Sequence, residues 1–337
     1  MILTFNKALL GLRHTFTIAN FSRHETPVVF TQIRIGDVIG YGEAAMPPYL
    51  GESHETAVSF LSKIDLSQFA LPIDINDIMQ YVNAVASANT AAKASIDIAL
   101  HDLKGKVENV SVWTLLGSNQ RLMPVTSFTL GMDKPKIIRQ KVEEAKAFQV
   151  LKLKLGGEND KEIVNTVRSV TDKPLFIDAN QGWKDKYLAL DMCDWLEGQG
   201  AVLIEQPMPK VRIEDSAWVQ ENTSLPIIAD ESFQRLNDLP RIKGAFKGIN
   251  IKLMKCTGLN EAKKIVTEAR ALGLKILMGS MTESSCACLA GAALAPQCDW
   301  ADLDGPWLIS NNPFNTPLLK NGKIILSAEA GLGLKLI

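Results

Sequence analysis

Hydrophobic and polar positions divide the chain into two stretches of different pattern. In the first, Val28-Val29-Phe30-Thr31-Gln32-Ile33-Arg34-Ile35 is rich in β-branched residues and predicts a strand. Gly36-Asp37 signals a tight turn, and Val38-Ile39-Gly40-Tyr41-Gly42-Glu43 returns as a hairpin partner. Between Thr90 and about Val107, Ala94, Ile98, Leu100 and Leu103 recur at helical spacing, and Gly105 marks the approach of a stop. From Pro124 onward, short β-rich runs alternate with amphipathic helices such as Lys134–Phe148 and Leu259–Leu272. The runs are Val125–Leu130, Val150–Leu155, Pro174–Asp178, Ala201–Glu205, Pro226–Asp230, Gly248–Leu253, Lys275–Met278 and Trp300–Asp304. Eight such units predict a parallel sheet closed into an α/β barrel of the modified TIM, (β/α) type. An open doubly wound sheet is the alternative, but no GxGxxG follows the first run. The expected division is an α+β capping domain over 1–122, the barrel over 123–305, and a segment over 306–337 that packs back on the cap and completes it.

Composition narrows the function classes. With 337 residues and 46% hydrophobic positions, the chain can bury a large core. A net charge of −1 leaves no footprint for nucleic acid or an anionic membrane. No signal-peptide pattern opens the sequence and no apolar run approaches the ~20 residues of a membrane span, so a cytoplasmic protein is expected. Cys193, Cys256, Cys286, Cys288 and Cys298 show no CxxC spacing, which argues against both a disulfide framework and a zinc site. They read as buried thiols.

Charged residues recur where the barrel runs end. Lys152 and Lys154 close the second run, Asp178 the third, Glu205 the fourth, Asp230 the fifth and Lys252 the sixth. A single Asp after a strand is ordinarily a helix cap. Five consecutive strands delivering charge to one end is another matter, because that end is where barrel active sites lie and unpaired buried charge is costly. Asp178, Glu205 and Asp230 make an all-oxygen ligand set, which favours one Mg²⁺ per subunit, with Mn²⁺ as the alternative, over Zn²⁺. Lys152 and Lys154 share a strand face and point inward, and Lys252 comes from across the mouth. A substrate between Lys154 and Lys252 presents opposite faces to two amines. One removes a proton from carbon and the other returns one from the far side, inverting the centre. Lys152 serves as a cation near the substrate carboxylate. A lysine base needs its pKa drawn down from about 10.4 towards roughly 7–8.

With these residues in view, the sequence resembles the enolase superfamily, in its muconate-lactonising subgroup. The resemblance rests on Leu151-Lys152-Leu153-Lys154, Ile177-Asp178-Ala179-Asn180-Gln181-Gly182-Trp183, Ile204-Glu205-Gln206-Pro207, Ala229-Asp230-Glu231-Ser232, Asn250-Ile251-Lys252 and the helix Ala94–Lys106, and it covers nearly the whole chain. It implies abstraction of a proton α to a metal-bound carboxylate, giving an enediolate, chemistry for which this superfamily is a stock example. All four histidines precede the barrel, which excludes the branch that uses a barrel histidine as base.

Within the subgroup, Asp302-Leu303-Asp304-Gly305-Pro306 is similar to the DxD motif of dipeptide epimerases, where two carboxylates hold the substrate ammonium. The same resemblance implies substrate contacts for Thr129, Ser280 and Thr282. Ala-Glu epimerases of the family carry a basic residue in the first capping loop. Ungapped alignment puts Phe21 there, in Ile18-Ala19-Asn20-Phe21-Ser22-Arg23-His24, and a shift of two or three residues would put Arg23 or His24 there instead. The Pro/Gly-rich stretch Met46–Glu52 reads as a lid. The expected activity is therefore Mg²⁺-dependent epimerisation, by two-base 1,1-proton transfer, of the C-terminal residue of L-Ala-Xaa dipeptides, with Xaa apolar. L-Ala-D/L-Glu epimerase, o-succinylbenzoate synthase and N-acylamino acid racemase activities are the alternatives in the subgroup. A non-catalytic ligand-binding barrel is the alternative outside it. The expected partner is a small dipeptide, with a homo-oligomer left open.

Overall fold

The computed structural model describes residues 1–18 and 21–337; Ala19 and Asn20, which fall in the expected first loop, lie outside the described residues. The chain opens with a three-stranded antiparallel sheet of β1 (Ile2–Ile18), β2 (Phe21–Ile35) and β3 (Val38–Ala45), in that order. The expected Gly36-Asp37 hairpin is present, with Ile35 opposite Val38. The stretch around Phe21 departs from the expectation. It is the far end of a long β1–β2 ribbon, in which Ile18 pairs with Phe21 and Phe16 with Arg23, beyond a register shift after Gly11. Helices α1 (His54–Leu61), α2 (Ile75–Val85) and α3 (Thr90–Val107) follow. The α3 backbone lies directly on β3, because a side chain on Gly40 or Gly42 would overlap the carbonyl oxygens of Ala99 or Ser95. A short helix α4 (Val112–Leu115) leads into the barrel.

Eight parallel strands form one sheet in sequence order: β4 (Ser127–Leu130), β5 (Val150–Lys154), β6 (Leu175–Asp178), β7 (Ala201–Glu205), β8 (Ile227–Ala229), β9 (Gly248–Lys252), β10 (Lys275–Gly279) and β11 (Trp300–Asp302). A parallel bridge from Thr126 to Ala301 brings the first and last strands together and closes the expected barrel. The intervening helices are α5 (Pro135–Glu144), α6 (Asp160–Arg168), α7 (Lys186–Gly198), α8 (Ile213–Asn222), α9 (Leu239–Ile242), α10 (Leu259–Ala271) and α11 (Ser285–Leu294), with α12 (Gly305–Leu308) after β11. Val150, Phe176, Leu203, Ile228 and Leu277 form a small apolar cluster of their own among the barrel strands. The remaining core is continuous and includes residues of both sheets.

After α12 the chain makes a two-stranded turn, β12 (Leu319–Lys320) and β13 (Lys323–Ile324). Its later residues bond the cap: Val112 N donates to Gly331 O, Trp113 Nε1 to Ser327 O, and Leu332 N to Asp102 Oδ1. No helix among the described residues is long and apolar enough to cross a membrane.

Candidate active site

The C-terminal ends of the barrel strands face the β1–β2 ribbon tip and the stretch around Tyr49 across a cavity of about 180 Å³. The barrel supplies its floor. β5 carries Lys152 and Lys154, and the parallel register sets Lys154 beside Asp178 and Asp178 beside Glu205. Asp230 stands one residue past β8, and Lys252 is the last residue of β9. In an eight-stranded ring, β5 and β9 are four strands apart, so Lys154 and Lys252 approach from opposite sides. Both reach into the cavity and both are buried.

The carboxylates and ammonium groups interleave. Lys154 Nζ lies 2.6 Å from Asp178, Lys252 Nζ 2.7 Å from Asp230, and Lys152 Nζ 2.6 Å from Glu205, 2.7 Å from Asp302 and 3.3 Å from Asp178. Lys152 is thus a hub among three acids. Burial alone would lower Lys152 and Lys252, but Asp302, Glu205 and Asp178 around the first, and Asp230 beside the second, hold both well above the ordinary lysine value. For Lys252 this is the reverse of the expected depression, and its cause is the direct bond to Asp230. Burial would likewise raise Asp230, but Lys252 and Lys255 outweigh it and hold the carboxyl well below its usual range.

As they stand, no three acidic, histidine or cysteine side chains among the described residues are gathered tightly enough to hold an ion. The donor set nonetheless suits a hard cation. Five buried carboxylates (Asp178, Glu205, Asp230, Asp302 and Asp304) and the half-buried Glu231 face four ammonium groups (Lys152, Lys154, Lys252 and Lys255). Burial and the neighbouring Asp178 push Glu205 up to about 7, and burial and Asp230 do the same to Glu231. Oε2 of Glu231 is buried with no hydrogen-bond partner. Excess negative charge in a dry, all-oxygen setting fits Mg²⁺.

The remaining expected residues take distinct places. Asp302 ends β11, accepts from Ser127 Oγ at 2.7 Å and pairs with Lys152. Asp304 has left the strand and begins the turn into α12, where its carboxylate accepts from Thr129 N. Burial and Asp302 push Asp304 up to about 7. Ser280 Oγ donates to Asp302 O, and Thr282 Oγ1 accepts from Arg23 Nη2 at 2.8 Å. Phe21 lines the cavity, and so does Arg23. The Arg23 guanidinium lies 5.4 Å from the Phe16 ring centre and 5.9 Å from that of Phe21. Its Nε and Nη1 are buried without partners, and burial lowers its pKa.

Several residues were not singled out in sequence. Lys255 is fully buried, and its ammonium meets Asp230 Oδ1 at 2.6 Å and the carbonyls of Asp230, Phe233 and Asn250. The one signal was a lysine inside the apolar run Leu253-Met254-Lys255-Cys256. Asn250 Nδ2 donates to Glu205 Oε1 from β9. Tyr49, from the expected lid, donates to Met281 Sδ at 2.6 Å. A larger open groove of about 930 Å³ shares only Glu231 with the cavity, and its Arg235 is paired with Glu261 at 2.6 Å. Its volume carries no comparable chemistry.

Comparisons with known proteins give the family. Residues 5–117 match the mandelate racemase / muconate lactonizing enzyme N-terminal domain, and residues 137–337 match the enolase C-terminal domain-like family. The chain is 52% identical to the L-Ala-D/L-Glu epimerase of Bacteroides thetaiotaomicron, over 99% of this chain and 87% of that protein. Among solved structures, a substrate-liganded complex of the L-Ala-D/L-Glu epimerase from Bacillus subtilis matches with a TM-score of 0.92 and 26% identity, covering 99% of this chain and 98% of the other. The dipeptide epimerase from Cytophaga hutchinsonii, complexed with Mg and the dipeptide D-Ala-L-Val, matches with a TM-score of 0.92 and 27% identity, covering 100% and 96%. The chain belongs to the mandelate racemase / muconate lactonizing branch of the enolase superfamily.

Proposed function

We propose that the protein is a Mg²⁺-dependent dipeptide epimerase that inverts the C-terminal α-carbon of L-alanyl-glutamate. The observation that carries the choice of second residue is Arg23, a cavity-lining residue whose guanidinium holds two buried nitrogens without partners. A buried arginine donor without an acceptor is costly, and a substrate carboxylate supplies one in a charge-assisted bond. The apolar expectation took Phe21 alone; Phe21 and Phe16 here flank an Arg23 whose Nε and Nη1 have no hydrogen-bond partner. The similarity to two L-Ala-D/L-Glu epimerases points the same way.

In this reading Lys154 and Lys252 are the two bases, one removing the α-proton and the other delivering a proton to the opposite face. Asp302 and Asp304 receive the substrate ammonium, with Thr129 fixing Asp304. Ser280 and Thr282 form the wall beside the second side chain, and Phe21 packs against it. Asp178, Glu205 and Asp230 would hold the Mg²⁺, which when bound neutralises charge developing on the substrate carboxylate and competes with the lysines for Asp178 and Asp230. Lys152 remains a fixed cation at the carboxylate end. Residues 1–122 then read the substrate, braced by 306–337, while 123–305 carry the chemistry. A cytoplasmic enzyme acting on a small peptide rather than nucleic acid belongs to the same proposal, which rests here on the near-neutral charge.

A second reading keeps an apolar second residue, favoured by Phe16, Ile18 and Phe21 in the lining. Incubation of L-Ala-L-Glu and L-Ala-L-Leu with enzyme and Mg²⁺ in D₂O separates the two. Deuterium should enter the C-terminal α-position of the glutamyl peptide far faster, and Lys154→Ala and Lys252→Ala should each abolish epimerisation. Faster turnover of L-Ala-L-Leu would select the second reading, and full two-way epimerisation by either lysine variant would falsify the two-base mechanism.

A further inference from the structure

The wall of the cavity that faces Arg23 is not anchored by the barrel alone. Ser280, Met281 and Thr282 follow β10, and the chain then enters α11 at its cap residue Ser284. The first turn of a helix carries backbone N–H groups with no partner inside the helix. Here Ser285 N donates to Asn312 Oδ1 and Cys286 N to Ser284 Oγ, and a carboxylate from the other sheet takes Ala287 N and the cap residue itself. Glu43, on β3 and completely buried, accepts from Ser284 N at 2.8 Å through Oε1, and from Ser284 Oγ and Ala287 N through Oε2. Glu43 lies outside the cavity and touches none of the groups assigned to chemistry.

Two further contacts tie this wall to the cap. Arg23 Nη2 donates to Thr282 Oγ1, two residues before Ser284, and Tyr49 donates to Met281 Sδ. Within the turn, Glu283 Oε1 accepts from Met281 N at 3.0 Å. Ser280–Thr282 is therefore held at its helical end by Glu43 and at its cavity face by Arg23, both from the cap. The position of Thr282, and through it the aim of Arg23, depends on where Glu43 pins the start of α11.

We infer that Glu43 is a positioning residue that sets the subsite for the substrate's second side chain from outside the pocket. It rests on the epimerase reading above. Its effect should appear in recognition of that side chain and not in proton transfer, because Lys154 and Lys252 stand on β5 and β9 and make no contact with it.

The test compares L-Ala-L-Glu with L-Ala-L-Ala, whose second side chain is too short to need Arg23. With Glu43→Ala, KM for L-Ala-L-Glu should rise about tenfold or more, the scale of a lost hydrogen bond to a charged group. The kcat for that substrate, and both constants for L-Ala-L-Ala, should stay within about threefold. Glu43→Gln keeps the shape and one acceptor, so it should restore much of the loss, and it stands in where the alanine variant fails to fold. Equal loss on both substrates, or a fall in melting temperature without a selective rise in KM, would overturn the inference. A wild-type protein inactive on both dipeptides would overturn the epimerase reading itself, whereas activity on both with unselective variants would overturn only the role of Glu43.

Discussion

Phe21 and Arg23 stand two apart on one strand, and residues two apart on a strand share a face. That is why both line the cavity. In sequence the segment reads as a loop, where period-two logic has no purchase, so the alignment had to choose one residue at that place. Lys255 escaped notice for a different reason. A lysine in an apolar run gives no hint of the four oxygens that surround it, since these come from the turn after β8 and from β9. The strand-end charges were legible because a strand fixes direction and the barrel fixes which end matters. Arg23→Met should test the guanidinium directly. Loss of a charged hydrogen-bond donor is worth ~2 kcal/mol, so KM for L-Ala-L-Glu should rise about thirtyfold with kcat little changed. Steady-state kinetics with L-Ala-L-Ala as control would measure it, and an unchanged KM would remove Arg23 from recognition.

At the scale of elements, all eight barrel strands were legible, because fully buried parallel strands read as short apolar runs bounded by turn residues. β1 was not. Its exposure alternates irregularly along Ile2–Ile18 and its pairing shifts after Gly11, which blurs any clean period. The loops after β5 and β6 show what holds the lysine and carboxylate ends in register. Gly156 and Gly182 meet backbone to backbone, and a side chain on Gly182 would overlap Gly156 itself, main-chain atoms that cannot rotate away. Gly182→Ala should therefore force the Asp178–Asn180 turn away from the Lys154 loop. We expect a loss of ~1–3 kcal/mol in stability, together with a fall in kcat. Urea unfolding and kinetics on the same sample would check it, and a variant with wild-type values in both would show that the turns are not coupled.

At the scale of the whole molecule, the antiparallel sheet precedes the eight-stranded sheet in the chain, and the sequence changes pattern from about Pro124, between them. What it could not show is how the parts grip one another, since Glu43 with Ser284, and Asp97 with the N-terminus of α10, join residues far apart in the chain. Metal binding is the property that engages the barrel as a unit. A ligand at 100 times its dissociation constant stabilises the folded state by about 2.7 kcal/mol. Millimolar Mg²⁺ should raise the melting temperature by a few degrees, EDTA should reverse the rise, and Asp178→Asn or Glu205→Gln should abolish it. A Mg²⁺-independent melting curve in the wild type would count against the assigned ligands.

The β1–β2 ribbon has one more consequence, which concerns descent. On the proposed reading, Arg23 and Phe21 meet the second side chain from the β1–β2 ribbon, while the lysines and carboxylates assigned to chemistry are held in the barrel floor by mutual charge. Substitutions at Phe21 or Arg23 break no ion pair of that floor, whereas removing one charge from the floor strands its buried partner. A duplicated gene of this kind can therefore acquire a new diet through a handful of codons for that ribbon, and keep its reaction while its menu drifts.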